Sequence, residues 1–140
     1  MINELFYFAS ESLAENYLKL IKNNNKILFF FDLKTKDNIM HSLAKSKYNN
    51  IELINFTMNI LKKYNCINKF LKQKNNNGYT PWELSIKSNI INAICIQYWA
   101  DKYFIEESKL QNISRHVLMI SMWEKFYKDK YPENQYIIFK

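Results

Sequence analysis

The chain has 140 residues but only one glycine, two prolines and two cysteines, and these scarcities exclude several classes of protein. A single glycine cannot build a phosphate-binding loop or a dinucleotide-binding fingerprint, so nucleotide-dependent enzymes are excluded. Two cysteines are too few for a disulfide framework. We therefore expect Cys66 and Cys95 to be free thiols in a reducing compartment.

Long apolar runs and a secretion signal are also lacking. The longest apolar stretches, such as residues 27–31, are too short to cross a bilayer, so we expect no membrane span. The first residues include Glu4 and Glu11 and do not show the basic and apolar regions of a secretory signal. We therefore expect a cytoplasmic protein.

Histidine is scarce as well, with only His41 and His116 in the chain. Neither has a nucleophile nearby in sequence or a second ligand at metal-binding spacing. The adjacent acids Glu106 and Glu107 do not share a helix face. We expect no catalytic residue, no metal site and no cofactor, and hence a protein that is not an enzyme.

Arginine occurs once, at Arg115, although the formal net charge is +7. Lysines are spread along the whole chain, whereas proteins that read phosphates and bases favour the bidentate fork of arginine. This distribution disfavours a nucleic acid partner. Weak binding to nucleic acid or to an anionic surface stays open as an alternative, because net positive charge promotes non-specific adhesion.

Hydrophobic residues are abundant, at 48% of the chain, and 16% of all residues are aromatic. This composition excludes general disorder, and 140 residues are enough to bury a core. We expect one globular domain covering residues 1–140.

The only glycine lies in the most informative stretch, residues 75–85, with the sequence NNNGYTPWELS. Gly78 suits a turn that needs a positive φ angle. Thr80 suits the N-cap of a helix, Pro81 suits its first position, and Glu83 can close a capping box. The stretch therefore predicts a tight turn followed directly by a helix.

Similar frames recur along the chain. Residues 36–44 repeat the pattern, with Asn38 at the cap position and His41 three residues later. Weaker copies begin at Asn3 and Ile113, so that the successive intervals are 35, 42 and 33 residues. The long second interval indicates an insertion, which we place around residues 64–70.

These frames resemble the ankyrin repeat signature, a turn followed by a T-P-L-H-x-A helix start with a period of about 33 residues. The resemblance implies an all-α solenoid of helix-turn-helix repeats with short hairpin fingers and an atypical C-terminal capping helix. The repeats would span approximately residues 1–35, 36–77 and 78–110, with a degenerate cap at 111–140. It also implies that His41 hydrogen-bonds within its own helix start.

Other capping signals predict the remaining helices. Ser12 with Glu15 forms a possible capping box, and Asn50 and Asn89 precede apolar helical patterns. A last helical region is predicted over residues 109–128, after Glu106 and Glu107. The aromatic residues 29–31 suit either the rim of a finger or a packed loop.

Ankyrin repeats bind other proteins, so the resemblance implies an interaction module with a protein partner. The excess of Lys, Asn, Ile, Phe and Tyr is typical of an AT-rich genome, such as that of an intracellular bacterium, a protist or a large DNA virus. One hypothesis is therefore a pathogen or viral protein that binds a host cytosolic protein, in the host cytoplasm. The alternative is an internal scaffold module of its own cell. We expect a monomer.

By resemblance, the partner would contact the finger tips and the concave face of each repeat's first helix. Tyr79 ranks first among the candidates, because large amphipathic side chains are enriched in binding hot spots. Ser42 and Glu83 are further polar positions expected on the concave face, and Trp82 is expected in the core. The candidate partner-binding residues are Lys34, Lys36, Asp37, Lys45, Lys74, Asn76, Tyr79 and Lys87.

Overall fold

The computed structural model describes residues 2–111, and within this range the chain is all-helical with no strand. The all-α prediction is confirmed to that extent. A 3-10 helix covers Asn25–Phe29. The α-helices are α1 (Ile2–Ser10), α2 (Ala14–Asn23), α3 (Ile39–Ala44), α4 (Ile51–Lys63), α5 (Ile67–Lys72), α6 (Pro81–Ser88) and α7 (Ile90–Gln111).

The contacts divide the chain into two compact units, residues 1–97 and residues 98–140. The expected single domain with repeat boundaries near residues 35, 77 and 110 stays a prediction. The predicted cap at 111–140 and the frame at Ile113 lie almost entirely outside the described residues. Helix α7 continues through Glu106 and Glu107, where the sequence suggested that one helix ends and another begins.

In the first unit, α3 packs between α1 and α6, while α2 contacts both α1 and α4. The buried side chains of these helices form one core. Ala9 of α1 and Ala44 of α3, which occupy matching positions in the two sequence frames, are both fully buried. Trp82 of α6 is also buried, as predicted.

Local capping residues explain where α3 and α6 begin. The Oδ1 atom of Asn38 accepts hydrogen bonds from the amides of Met40 and His41, at 2.9 and 3.1 Å. At α6, the Thr80 hydroxyl accepts from the Glu83 amide at 3.3 Å, and the Glu83 carboxylate accepts from the Thr80 amide at 2.8 Å. Both helix starts are complete capping boxes, so the box predicted at Thr80 and the cap position predicted for Asn38 are confirmed.

The capping box predicted at Ser12 is wrong. Ser12 adopts a positive φ of 56°, and the N-cap of α2 is Leu13. The Ser12 hydroxyl instead donates to the Asn49 carbonyl, 37 positions away in sequence, at 3.4 Å. The Ser12 side chain thus forms a tertiary contact, although the local sequence pattern predicts that it caps the helix.

The predicted insertion contains a short additional helix. Helix α4 ends at a turn in which Asn65 has a φ of 56°, and α5 follows from Ile67 to Lys72. Phe29 packs edge-on against Tyr64 and Phe70, with ring centroids 5.2 and 5.9 Å apart. Of the aromatic run at residues 29–31, the first member is therefore packed, whereas the next two are exposed.

Buried asparagines connect successive helix–helix turns. The Asn50 side-chain amide donates to the carbonyls of Ala9 and Leu43, at 2.9 and 3.1 Å. Asn92 accepts from the Asn50 backbone amide at 2.7 Å and donates to the Tyr48 carbonyl at 2.9 Å. Asn50 thus lies at the N-cap position of α4, as expected, but its side chain holds neighbouring turns together instead of capping the helix.

Candidate functional site

Two loops lead into the capped helices α3 and α6, and we call them the first finger (residues 30–38) and the second finger (residues 73–80). In the first, the Asp32 amide donates to the Asp37 carbonyl at 2.9 Å. The side-chain Oδ1 atom of Asp32 accepts from the backbone amides of Lys34 and Thr35, at 2.8 and 3.2 Å. Lys36, at the turn, has a φ of 62°.

The second finger repeats this construction. The Asn75 amide donates to the Tyr79 carbonyl at 3.0 Å, and its Oδ1 atom accepts from the amides of Asn77 and Tyr79, each at 3.0 Å. Gly78 has a φ of 80°, as the sequence predicted. Each finger is therefore a tight loop organised by one aspartate or asparagine side chain.

The two fingers lie side by side and are hydrogen-bonded to each other. The Asn76 amide donates to the Thr35 carbonyl at 2.8 Å, and its side chain donates to the Lys34 carbonyl at 2.6 Å. The Asn75 side chain donates to the Asp37 carboxylate at 2.9 Å. These bonds combine both fingers into one continuous surface.

His41 lies beneath this surface and is fully buried. Its Nδ1 atom accepts from the Asn38 amide at 3.0 Å, and Nε2 lies 2.9 Å from the Tyr79 carbonyl. An accepting Nδ1 and a donating Nε2–H describe the neutral ring. Burial lowers the pKa of His41 below its ordinary value of 6.5, opposed by the Tyr79 bond and the charge of Asp37. The residue therefore joins the α3 start to the second finger as a neutral structural group, and its bond to the Asn38 amide is the one that the resemblance implied.

Tyr79 and Lys87 form a pair at the edge of the finger surface. The Lys87 ammonium donates to the Tyr79 hydroxyl at 2.6 Å and lies 4.0 Å from the centre of its ring. Tyr79 is half-buried, whereas Lys87 is exposed. A lysine over a tyrosine ring is a cation–π contact that holds both side chains in one orientation.

The structure brings most of the predicted site residues together. The backbone of Lys34 contacts Asn76, Asp37 pairs with Lys45 at 3.1 Å, and Tyr79 contacts Lys87. The lysines at positions 34, 36, 45, 74 and 87 are exposed, as is Asn76.

Three predicted positions are less accessible than expected. Asp37 is only 3% exposed, because its carboxylate binds Lys45 and Asn75 inside the loop. Ser42 and Glu83, expected on a concave face, are both 1% exposed. Glu83 is buried because it caps α6, and Ser42 because α3 lies between two other helices.

The central role of Asn75 was not predicted from the sequence. This side chain organises its own finger and also binds Asp37 of the first finger. The signal was present in part, since an asparagine three residues before a glycine is typical of a turn that uses the side-chain carbonyl. The bond from Asn75 to Asp37 joins positions 38 residues apart, and no local sequence pattern predicts it.

No group of three or more potential metal ligands occurs among the residues that the structure describes. Both cysteines are free thiols. Burial raises the pKa of Cys95 to about 11, so this thiol is a poor nucleophile at neutral pH. The finger surface thus offers hydrogen-bonding groups, lysines and aromatic side chains, which are suited to recognition.

Within residues 2–111, no helix combines the length and the apolar character needed to cross a membrane. Comparisons with models of protein families, with curated proteins and with solved structures found no match to this chain.

Proposed function

We propose that this protein is a protein–protein interaction module, built as a short ankyrin-like repeat array whose partner binds the finger surface. The proposal rests on the side-by-side arrangement of two fingers, each organised by one aspartate or asparagine side chain. Each finger leads into a capped helix, and these two helices pack against each other. Repetition of this kind creates an extended binding surface.

Tyr79 is the proposed anchor of this surface. Its contact with Lys87 fixes the ring before any partner arrives, which reduces the conformational entropy lost on binding. Lys34, Lys36 and Lys74 are exposed in the same two fingers and add positive charge, so a partner with acidic groups is favoured. The hypothesis of a pathogen or viral protein acting on a host cytosolic protein fits the composition of the sequence and the free thiols.

Affinity capture from host-type cytosol, at physiological and at high salt, tests the proposal. The variants are Tyr79→Ala and Lys36→Glu. Their matched controls are Tyr48→Ala and Lys47→Glu, because Lys47 and Tyr48 form a second cation–π pair in the α3–α4 turn, with 5.3 Å between the ammonium and the ring centre. We expect a protein that survives high salt, that the finger variants lose and that the control variants retain.

Two results would contradict the proposal. If high salt strips every ligand equally from all variants, binding is non-specific charge attraction, as for the nucleic acid alternative. If a salt-resistant partner is retained by all four variants, the partner uses another surface. Capture from the source organism's own extract and not from host cytosol would favour the internal scaffold.

A further inference from the structure

Three large apolar side chains are exposed together in the first finger. Phe30 is 49% exposed, Phe31 is 39% exposed and Leu33 is 84% exposed, the highest value among the large hydrophobic residues described. We call these three residues the apolar tip. Single exposed hydrophobic residues are ordinary, but three of them within four positions of one loop indicate an interaction site.

The apolar tip stands on a rigid base. Phe29, which directly precedes it, packs edge-on against both Tyr64 and Phe70. On the other side, the Asp32 side chain fixes the backbone of Lys34 and Thr35. The second finger supports the same backbone through Asn76. The tip is thus held outward by structure on both sides, and its exposure follows from that architecture.

Lysines outnumber acids at the surface beside the apolar tip. Lys34 and Lys36 are exposed in the same loop, and Lys74 is exposed in the adjacent finger. Of the two acids of the first finger, Asp37 is buried against Lys45 and Asn75, whereas Asp32 is part-exposed and accepts from loop amides. The finger therefore presents apolar side chains and lysines in the same loop.

We propose that the first finger inserts its apolar tip into the interface of an anionic lipid bilayer. Phenylalanine and leucine enter the boundary between headgroups and acyl chains, and flanking lysines bind anionic headgroups. A bilayer interface can accept a projecting loop tip without a complementary groove. The exposed lysines of the fingers complement anionic lipid, so an anionic bilayer is favoured over a neutral one.

This inference goes beyond the proposed protein binding. The finger lysines would serve both contacts, whereas the other side chains differ. Protein recognition is assigned to Tyr79 and Lys87, whereas membrane contact is assigned to the apolar tip. The tethering of a protein-binding module to an anionic membrane would place its partner at that surface.

Vesicle flotation with the full chain tests the inference. The probes are vesicles of phosphatidylcholine alone and vesicles of phosphatidylcholine with about 30% phosphatidylserine. Phosphatidylserine gives the bilayer a negative surface, which attracts lysine-rich segments. We expect binding only to the mixed vesicles. The variant Phe31→Ser/Leu33→Ser should weaken this binding about tenfold, because the apolar insertion is lost. The variant Lys34→Gln/Lys36→Asn should weaken it about fivefold per lysine.

Matched controls remove the same chemistry from other places. Ile94→Ser removes an apolar side chain that is 63% exposed on α7, and Lys19→Gln/Lys22→Gln removes two exposed lysines from α2. Both controls should bind the mixed vesicles as the unmodified protein does. Asparagine at position 36 tolerates the positive φ found there, and circular dichroism checks that every variant is folded.

Three results would overturn the inference. The first is no binding to the mixed vesicles at low salt. The second is binding that the lysine variant loses but the serine variant keeps, because attraction would then be electrostatic without insertion. The third is a serine variant that binds vesicles normally yet loses protein capture, which would make the apolar tip part of the protein contact.

Discussion

At the scale of single residues, a few side chains hold the finger surface in place. His41 is the clearest of these, because a neutral ring is required for both of its hydrogen bonds. A proton on Nδ1 would remove the acceptor that the Asn38 amide uses. Protonation of His41 at low pH is therefore expected to weaken the attachment of the fingers.

We predict that the free energy of unfolding falls as the pH drops below 6.5. Burial lowers the pKa of His41 in the folded protein, so the unfolded chain takes up the proton first, near its ordinary pKa of 6.5. Protonation of the unfolded state then reduces stability by up to about 1 kcal/mol between pH 7.5 and pH 5.5. Urea unfolding at several pH values measures this loss.

The variant His41→Gln serves as the comparison for this prediction. Glutamine at the third helix position can accept from the cap amide and does not titrate. His116 is present in both proteins, so the difference between them reports His41 alone. An equal pH dependence in both proteins would contradict the buried neutral ring.

The backbone at Gly78 supports a second prediction at this scale. Its φ is 80°, and a Cβ atom placed there would meet no atom within 4 Å. Gly78→Ala should therefore lower the free energy of unfolding by about 1 kcal/mol through backbone strain alone. Gly78→Asn should cost clearly less, because asparagine tolerates this region. Equal losses for the two variants, measured by thermal unfolding, would show that the strain is not at the backbone.

At the scale of secondary structure elements, the helix starts are the best determined features. Asn38 and Thr80 occupy equivalent cap positions, but their environments differ. The Asn38 side chain also donates to the Phe70 carbonyl and to Gln73, each at 3.0 Å, and so links α3 to the end of α5. Thr80 forms the local cap and is equally buried.

We predict that Asn38→Ala destabilises the protein more than Thr80→Ala. The threonine variant should lose about 1 kcal/mol, the usual contribution of a cap. The asparagine variant should lose about 2–3 kcal/mol, because the buried Phe70 carbonyl also loses a hydrogen-bond donor. Chemical denaturation of both variants decides the order, and an equal loss would mean that the link to α5 contributes nothing.

The sequence predicted these local features well and the non-local ones poorly. The caps at Asn38, Thr80 and Asn89 depend on residues within three positions, so their patterns are readable. The bonds of Asn50 join positions about 40 residues apart, and no local pattern reports them. The burial of Asp37 escaped prediction for the same reason, since its partner Asn75 lies in the other finger.

At the scale of the whole molecule, the asparagine connections keep successive turns in register. Asn50 and Asn92 are both buried, and the Asn92 side chain bridges the Asn50 amide and the Tyr48 carbonyl. Removal of either side chain leaves buried backbone groups unpaired, which is costly.

A double-mutant cycle with Asn50→Ala and Asn92→Ala tests this connection. We predict a coupling energy of about 1 kcal/mol or more, because both side chains hold the backbone at position 50. Asn92 accepts from the Asn50 backbone amide, and the Asn50 side chain binds the carbonyls of Ala9 and Leu43. The pair Asn50→Ala and Asn59→Ala provides a control, since Asn59 is exposed and donates within α4. Additive losses in the first cycle would show that the turns are stabilised independently.

We propose that one surface, formed by both fingers, binds a protein partner. The most direct measurement is the Kd of the salt-resistant partner for the unmodified protein, for Tyr79→Ala and for the matched control Tyr48→Ala. We predict that Tyr79→Ala raises the Kd about 30-fold, as expected for a binding hot spot, while Tyr48→Ala changes it less than twofold. Equal Kd values for all three proteins, with each variant folded, would contradict the account.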